Sequence, residues 1–164
     1  MKVTGYRIQQ ALRAEQDRRE LAETRFTASL RAFPGEEDGD PIQRMKELQE
    51  CEERIALFQA AQTAFNVAVQ LNVLGQKMSL LAAVKLVGGA GRREKLWRDA
   101  AKDPPSYERT RDRDAIVAKR MVPQDKCAEL AVEAGRWARA LRAAIQGGNA
   151  VEISVEMLDG VELA

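Results

Sequence analysis

Hydrophobic and small side chains recur through the first part of the chain at alternating steps of three and four residues, the spacing of one helix face. The positions of this series that carry such side chains are Ile8, Leu12, Ala22, Phe26, Ser29 and Phe33. The same series passes through Glu15 and Arg19, so charged residues interrupt the apolar face. Thr4 is a suitable N-cap, and Pro34-Gly35 ends the pattern. We therefore predict a helix over residues 5–33.

A second helical pattern follows a short acidic loop. Asp40 and Pro41 supply a cap residue and a proline at the first helical position. The seam positions then keep a strict three–four spacing over three heptads, as in a coiled coil; they are Leu48, Cys51, Ile55, Phe58, Gln62, Phe65 and Val69. Because the connection is short, helices at about 5–33 and 41–71 are expected to pack antiparallel.

Residues 72–164 contain shorter patterns. The predicted elements are a β-hairpin around 73–78, a helix over 80–87, a break at Gly88, Gly89 and Gly91, a helix over 92–102, an exposed loop over 107–114, a strand over 115–122, a helix over 124–146 and a strand over 151–155. Leu96 and Trp97 are expected to point inward. The fold class is mainly α: a long antiparallel helical hairpin with additional C-terminal helices and a small β element. One domain is expected over 1–164, with the hairpin at about 5–71 and a helical and β remainder at 72–164.

The second helix is apolar beyond its seam after Ile55. One partner helix cannot cover all of this surface, so either the C-terminal part of the chain or another subunit must cover the remainder. We predict a homo-oligomer whose contact surface contains Leu57, Ala60, Ala61, Ala64, Val67 and Ala68.

Composition removes several kinds of chemistry. The chain has no histidine, which excludes Ser-His-Asp and Cys-His catalysis and His-ligated zinc. The net charge is +1, which argues against a strongly basic nucleic-acid coat protein. Charge is nevertheless uneven, because Arg92–Arg120 has ten basic and six acidic residues, whereas the last nineteen residues have four acids and no base. Neither an enzymatic activity nor a cofactor is expected.

The glycine-rich segment 88–93 is the most distinctive local feature. If a helix starts after it, free backbone amides and the adjacent arginines could bind an anion; the candidate residues are Gly88, Gly89, Gly91, Arg92 and Arg93. The segment is not a Walker A loop, although it contains the G-x-x-G of some RNA-binding modules. A plain helix–helix turn is the favoured interpretation, and phosphate or nucleic-acid binding is the alternative.

Acidic residues at helical spacing give a third, weaker hypothesis. The two triplets are Asp17, Glu20 and Glu23 on the first helix and Glu47, Glu50 and Glu53 on the second. Helical nucleotide pyrophosphohydrolases hold magnesium with such triplets, because hard cations prefer several oxygen ligands. Interleaved arginines and lysines favour a solvated, ion-paired face instead, and no metal site is predicted.

Targeting signals are not evident in the sequence. The N-terminal segment has no apolar run typical of a secretory signal, and no stretch approaches the roughly 20 apolar residues that span a bilayer. Cys51 and Cys127 lack zinc-site spacing and are interpreted as buried free thiols. We expect a cytoplasmic protein that does not bind membranes.

Three segments between residues 59 and 98 resemble a family of small uncharacterised bacterial proteins with long antiparallel helices. They read QAAQTAFNVAVQ, LGQKMSLLAAVK and GGAGRREKLWR. The resemblance implies a cytoplasmic helical oligomer and no activity. The sequence thus favours a self-associating structural or interaction protein. Phosphate or nucleic-acid binding is the alternative, and magnesium-dependent pyrophosphohydrolysis comes third.

Overall fold

The computed structural model describes residues 1–31, 39–102 and 121–163. Its elements are β1 (Lys2–Thr4), α1 (Gly5–Ser29), α2 (Pro41–Ala68), β2 (Gln70–Val73), β3 (Gln76–Ser79), α3 (Leu80–Lys102), α4 (Gln124–Ala150), β4 (Glu152–Ser154) and a 3₁₀ turn at Glu156–Leu158. The predicted fold class, mainly α with a small β element, is confirmed. Two compact units are present: unit 1 contains Met1–Gln70 and Gly147–Ala164, and unit 2 contains Leu71–Gln146.

Unit 1 is built on the α1–α2 hairpin. The Thr4 side chain accepts a hydrogen bond from the Arg7 amide (3.3 Å), and Asp40 Oδ1 accepts one from the Ile42 amide (2.9 Å). Both predicted caps are therefore confirmed. Gly5 lies next to Phe65, and ten residues further along α1 Glu15 pairs with Arg54. Contacts further along α1 are therefore made with residues that come earlier in α2, so the two helices run antiparallel.

The unit 1 core follows the predicted seams. Of the α1 series, Ile8, Leu12 and Ala22 are buried. On α2 the buried seam positions are Cys51, Phe58 and Phe65, and Val69, just after the helix, is also buried. Burial raises the pKa of the Cys51 thiol. Cys51 and Cys127 are both buried and neither is part of a disulfide, as predicted.

A two-stranded sheet joins the two ends of the sequence within unit 1. β1 pairs antiparallel with β4, with Val3 opposite Ile153. The Met1 carbonyl accepts a hydrogen bond from the Val155 amide (3.1 Å), and the terminal ammonium of Met1 pairs with Asp159. Val155 and Leu158 are buried, so the C-terminal segment contributes to the core of the unit.

Unit 2 consists of a β-hairpin and the helices α3 and α4. The Gln124 side-chain amide donates to the Ala101 carbonyl (2.6 Å), while Gly135 lies beside Glu94, so α3 and α4 also run antiparallel. The hairpin, predicted from the sequence, turns at Leu74 and Gly75, whose φ angles of 51° and 88° are typical of a type I′ turn. Its buried core contains Val73, Ala83, Ala90, Ala138 and Leu141.

The predicted break at Gly88, Gly89 and Gly91 is wrong, because α3 continues through all three residues. A glycine in a helix interior lowers the stability of the helix by only about 1 kcal/mol relative to alanine. Packing of the adjacent Ala90 in the core of unit 2 offsets this loss. The helix predicted to stop at residue 146 continues to Ala150, and α2 ends at Ala68 rather than at residue 71. The exposed loop predicted at 107–114 and most of the strand predicted at 115–122 lie outside the described residues; positions 121 and 122 are bends.

Candidate functional site

The acidic triplets of α1 and α2 are not assembled into a metal site. All six carboxylates are described; five are exposed and one is half-buried. Glu47 pairs with Arg44 (3.1 Å), and Glu53 accepts a hydrogen bond from Gln49. Among the described residues, no group of three or more His, Cys, Asp or Glu side chains could hold a metal ion. The pyrophosphohydrolase hypothesis therefore gains no structural support.

The glycine-rich segment lies in the middle of α3 instead of at a helix start. Amides in a helix interior are engaged by carbonyls four residues earlier, so Gly88, Gly89 and Gly91 cannot present free donors to an anion. Arg92 and Arg93 are exposed, so any anion bound here would contact their side chains only. Whether these five residues bind an anion stays a prediction.

The predicted oligomer surface on α2 is partly covered within the chain itself. Ala61 is fully buried, and Leu57 and Ala64 are half-buried. Ala60, Val67 and Ala68 are exposed, with Val67 retaining 51% of its accessible surface. The part of the predicted surface that stays accessible to solvent is therefore a narrow strip of small side chains.

A second accessible surface with apolar side chains lies in unit 2, where α3 and α4 border a groove of about 740 Å³. Trp97 and Trp137 line it from the two helices, and both rings are half-buried. Leu74 and Leu86 also line the groove and are 52% and 43% exposed. We call this surface, with Ala90, Leu130 and Ala134, the tryptophan groove.

The sequence predicts a helix at Trp97, as observed, but not the surroundings of that side chain. Trp97 was expected to point inward and is half-buried. Leu96, also expected inward, is 68% exposed. In a continuous α3, Leu96 lies on the side of the helix away from Ala83, Ala90 and Glu94, so that neither α4 nor the hairpin covers it. The groove could have been inferred from Leu86, Ala90, Arg93 and Trp97, which share one face only if the helix is unbroken.

Charged side chains at the tryptophan groove have both signs. Arg93, Glu133 and Arg136 line it and are exposed. Within the described ranges, none of the three has an ion pair. Their charges are therefore available to groups outside the chain.

The described residues contain no helix long and apolar enough to cross a bilayer. No family model and no curated protein sequence matches the chain. A solved structure does: the crystal structure of a functionally unknown conserved protein from Corynebacterium diphtheriae, with a TM-score of 0.62 and 17% identity, covering 94% of this chain and all of that one. This similarity shows the fold alone. It agrees with the resemblance to uncharacterised bacterial proteins without identifying an activity.

Proposed function

We propose that the chain is a non-catalytic interaction protein of the bacterial cytoplasm that self-associates through the tryptophan groove. The observation that carries this proposal is the pair of half-buried tryptophans lining a surface that the chain itself leaves open. Two buried cysteines that are not part of a disulfide support a reducing compartment.

The core of unit 2 is thin, which favours further burial by a second copy. Of the seven hydrophobic residues that the structure describes as buried in unit 2, three are alanines, and each buries far less apolar area than a leucine or a tryptophan. Meanwhile Leu74, Leu86 and both tryptophans keep part of their surface in water. Covering the tryptophan groove would remove that surface from water.

The dimensions of α3 and α4 fit a stable dimer. With 23 and 27 residues, the helices are about 34 and 40 Å long, and two helices side by side are about 20 Å wide. The whole outline is on the order of 700 Å², whereas the groove is lined only from Leu86 to Trp97 on α3 and from Leu130 to Trp137 on α4, so an interface with the roughly 800 Å² per partner of a standard complex must extend along both helices beyond the groove.

The charges suit an isologous contact, in which the same surface serves both copies. Arg93 and Arg136 lie on the same groove as Glu133. In a two-fold arrangement, an arginine of one copy can therefore face the glutamate of the other. A surface with one sign of charge would repel itself instead.

Backbone strain at the edge of the groove points the same way. Leu74 has a φ of 51°, a conformation that costs a branched L-residue about 1 kcal/mol and is normally taken by Gly, Asn or Asp. Its side chain is apolar, exposed and at the groove. Leucine at this position therefore lowers the stability of the hairpin but provides an apolar side chain for a contact. Local strain of this kind is typical of functional surfaces.

Sedimentation velocity over a dilution series tests the proposal. Leu86→Lys places a charge in the groove at a side chain that is already 43% exposed, and should shift the assembly to monomer. Ile42→Lys, at a 69% exposed position of unit 1, is the matched control and should leave assembly unchanged. If Val67→Lys dissociates the protein and Leu86→Lys does not, the interface lies on α2 and the groove proposal is wrong.

Intrinsic fluorescence provides a readout that needs no variant. The chain has two tryptophans, and both line the groove. Dissociation on dilution should therefore shift their emission to the red. Emission that stays constant while the molar mass falls would contradict the proposed interface.

A further inference from the structure

A second depression between α3 and α4, of about 330 Å³, shares no lining residue with the tryptophan groove. Arg98, Lys102 and Arg139 line it, and Arg142 follows Arg139 by one turn of α4. All four side chains are exposed. We call these four residues the basic strip.

One carboxylate lies among these cations. Glu94 is nearly buried, with 12% of its side chain exposed, and pairs with Arg98. It lies beside Gly135: a Cβ at that glycine would be 3.1 Å from Glu94 Oε1 and 3.2 Å from Arg139 Nη1. Asp99 also lies near Arg98 and Lys102, but it is hydrogen-bonded to Lys95, so the four bases of the strip keep a surplus of positive charge.

Two arginines of the strip form no ion pair within the described residues, although the Arg139 guanidinium lies on the same side of Gly135 as Glu94. Arg142 extends across to α3, where its Nη2 is 3.4 Å from the position of a Cβ on Gly91. Neither Arg139 nor Arg142 forms an ion pair or a hydrogen bond within the part of the chain that the structure describes. The absence of a side chain at Gly91 and Gly135 leaves room for both guanidinium groups.

The charge of unit 2 as a whole reinforces this surface. Residues 71–146 contain 16 Lys and Arg against 9 Asp and Glu, a net charge of +7, whereas the remainder of the sequence has 10 and 16, a net charge of −6. The overall charge of +1 conceals this segregation. A net positive charge on unit 2 attracts polyanions and speeds their association.

The shape and chemistry of the strip favour a phosphate backbone. From Gly91, where the Arg142 guanidinium lies, to Lys102 is about 16 Å along α3, a length over which duplex DNA carries about 10 charges. Guanidinium groups bind phosphate in bidentate fashion. The apolar lining consists of Ala101, Ala128, Ala131 and Val132, which offer no aromatic platform for base stacking.

From these observations we infer that the basic strip binds the sugar–phosphate backbone of duplex nucleic acid without reading its sequence. This inference does not rest on the proposed self-association, because the two surfaces have no lining residue in common.

Fluorescence anisotropy with a labelled two-turn duplex DNA tests the inference. If the strip contacts four phosphates, log K should fall against log salt with a slope near −3.6, a loss of roughly 150-fold between about 50 and 200 mM salt. Arg139→Gln with Arg142→Gln should reduce the slope to about −1.8 and the loss to roughly 12-fold.

The matched control is Arg7→Gln with Arg13→Gln, which removes the same charge from exposed positions of α1. This variant should keep the wild-type slope, and circular dichroism verifies that both double variants are folded. No binding at low salt, or equal weakening by the two double variants, would overturn the inference. Tighter binding of a poly-glutamate chain of matched charge would also overturn it, in favour of an acidic protein partner.

Discussion

Replacing Leu74 with asparagine should change two properties of the protein in opposite directions. Leu74 and Gly75 form the two-residue turn of the unit 2 hairpin, with φ angles of 51° and 88°. Asparagine followed by glycine is the preferred pair for such a turn. The isolated chain should therefore gain about 1 kcal/mol in its free energy of unfolding.

The same substitution should weaken self-association. Full burial of a leucine side chain contributes about 1.5–3 kcal/mol, and 52% of Leu74 is exposed in the single chain. About 1 kcal/mol per copy, or 2 per symmetric dimer, is therefore lost, which raises Kd about 30-fold.

Urea unfolding at low protein concentration and sedimentation velocity at higher concentration measure the two effects separately. Leu74→Ala is the matched variant. It also removes the apolar side chain beyond Cβ, but alanine, unlike asparagine, does not favour a positive φ. It should weaken association without the gain in stability. If Leu74→Asn leaves the dissociation constant unchanged, Leu74 is not part of the interface, and if it lowers chain stability, the turn has been misassigned.

Three further predictions follow from the packing. Gly88→Ala and Gly89→Ala should each stabilise the protein by about 0.5–1 kcal/mol in urea unfolding, because the nearest atoms to an added Cβ are 3.9 and 4.0 Å away. If either variant is destabilised instead, the result would contradict a continuous helix at these positions. Glu15→Ala should cost about 2 kcal/mol by the same assay, as for the loss of a charged hydrogen bond, because it leaves Arg54 (2.8 Å away) without its carboxylate. Glu20→Ala on the exposed side of α1 should change stability by less than about 0.5 kcal/mol. The two buried thiols should react with a thiol reagent at pH 8 only at urea concentrations that unfold the chain, and rapid reaction in native buffer would contradict their burial.

The parts of the fold that were predictable from sequence are those with strong local signals. Thr4 and Asp40 cap helices at the expected positions, because a cap depends on a few neighbouring residues. The hairpin is also predicted, but with the four residues 74–77 as its turn; β3 already begins at Gln76, so the turn consists of Leu74 and Gly75 alone.

The unpredicted parts depend on contacts between distant segments. Strand β1 has three residues and exists through its pairing with β4, which no local pattern reveals. The break predicted at Gly88, Gly89 and Gly91 is wrong, because the low helix propensity of glycine is a weak effect that tertiary packing can override. Glu15 interrupts the apolar series of α1 yet is buried, because Arg54 on α2 pairs with it. The tryptophan groove was missed for the related reason that its residues share a face only in a continuous α3.

The pairing of β1 with β4 has a consequence for synthesis on the ribosome. Unit 2 is contiguous in sequence, whereas unit 1 combines the first 70 residues with those from Gly147 onward. Because translation is slow compared with the packing of helices, α3 and α4 can pair while the nascent chain still lacks β4, Val155 and Leu158. The α1–α2 hairpin is made before unit 2, but its core is complete only after residues from Gly147 onward have been made. Residues 1–70 thus precede residues 71–146 in synthesis but reach their final structure after them.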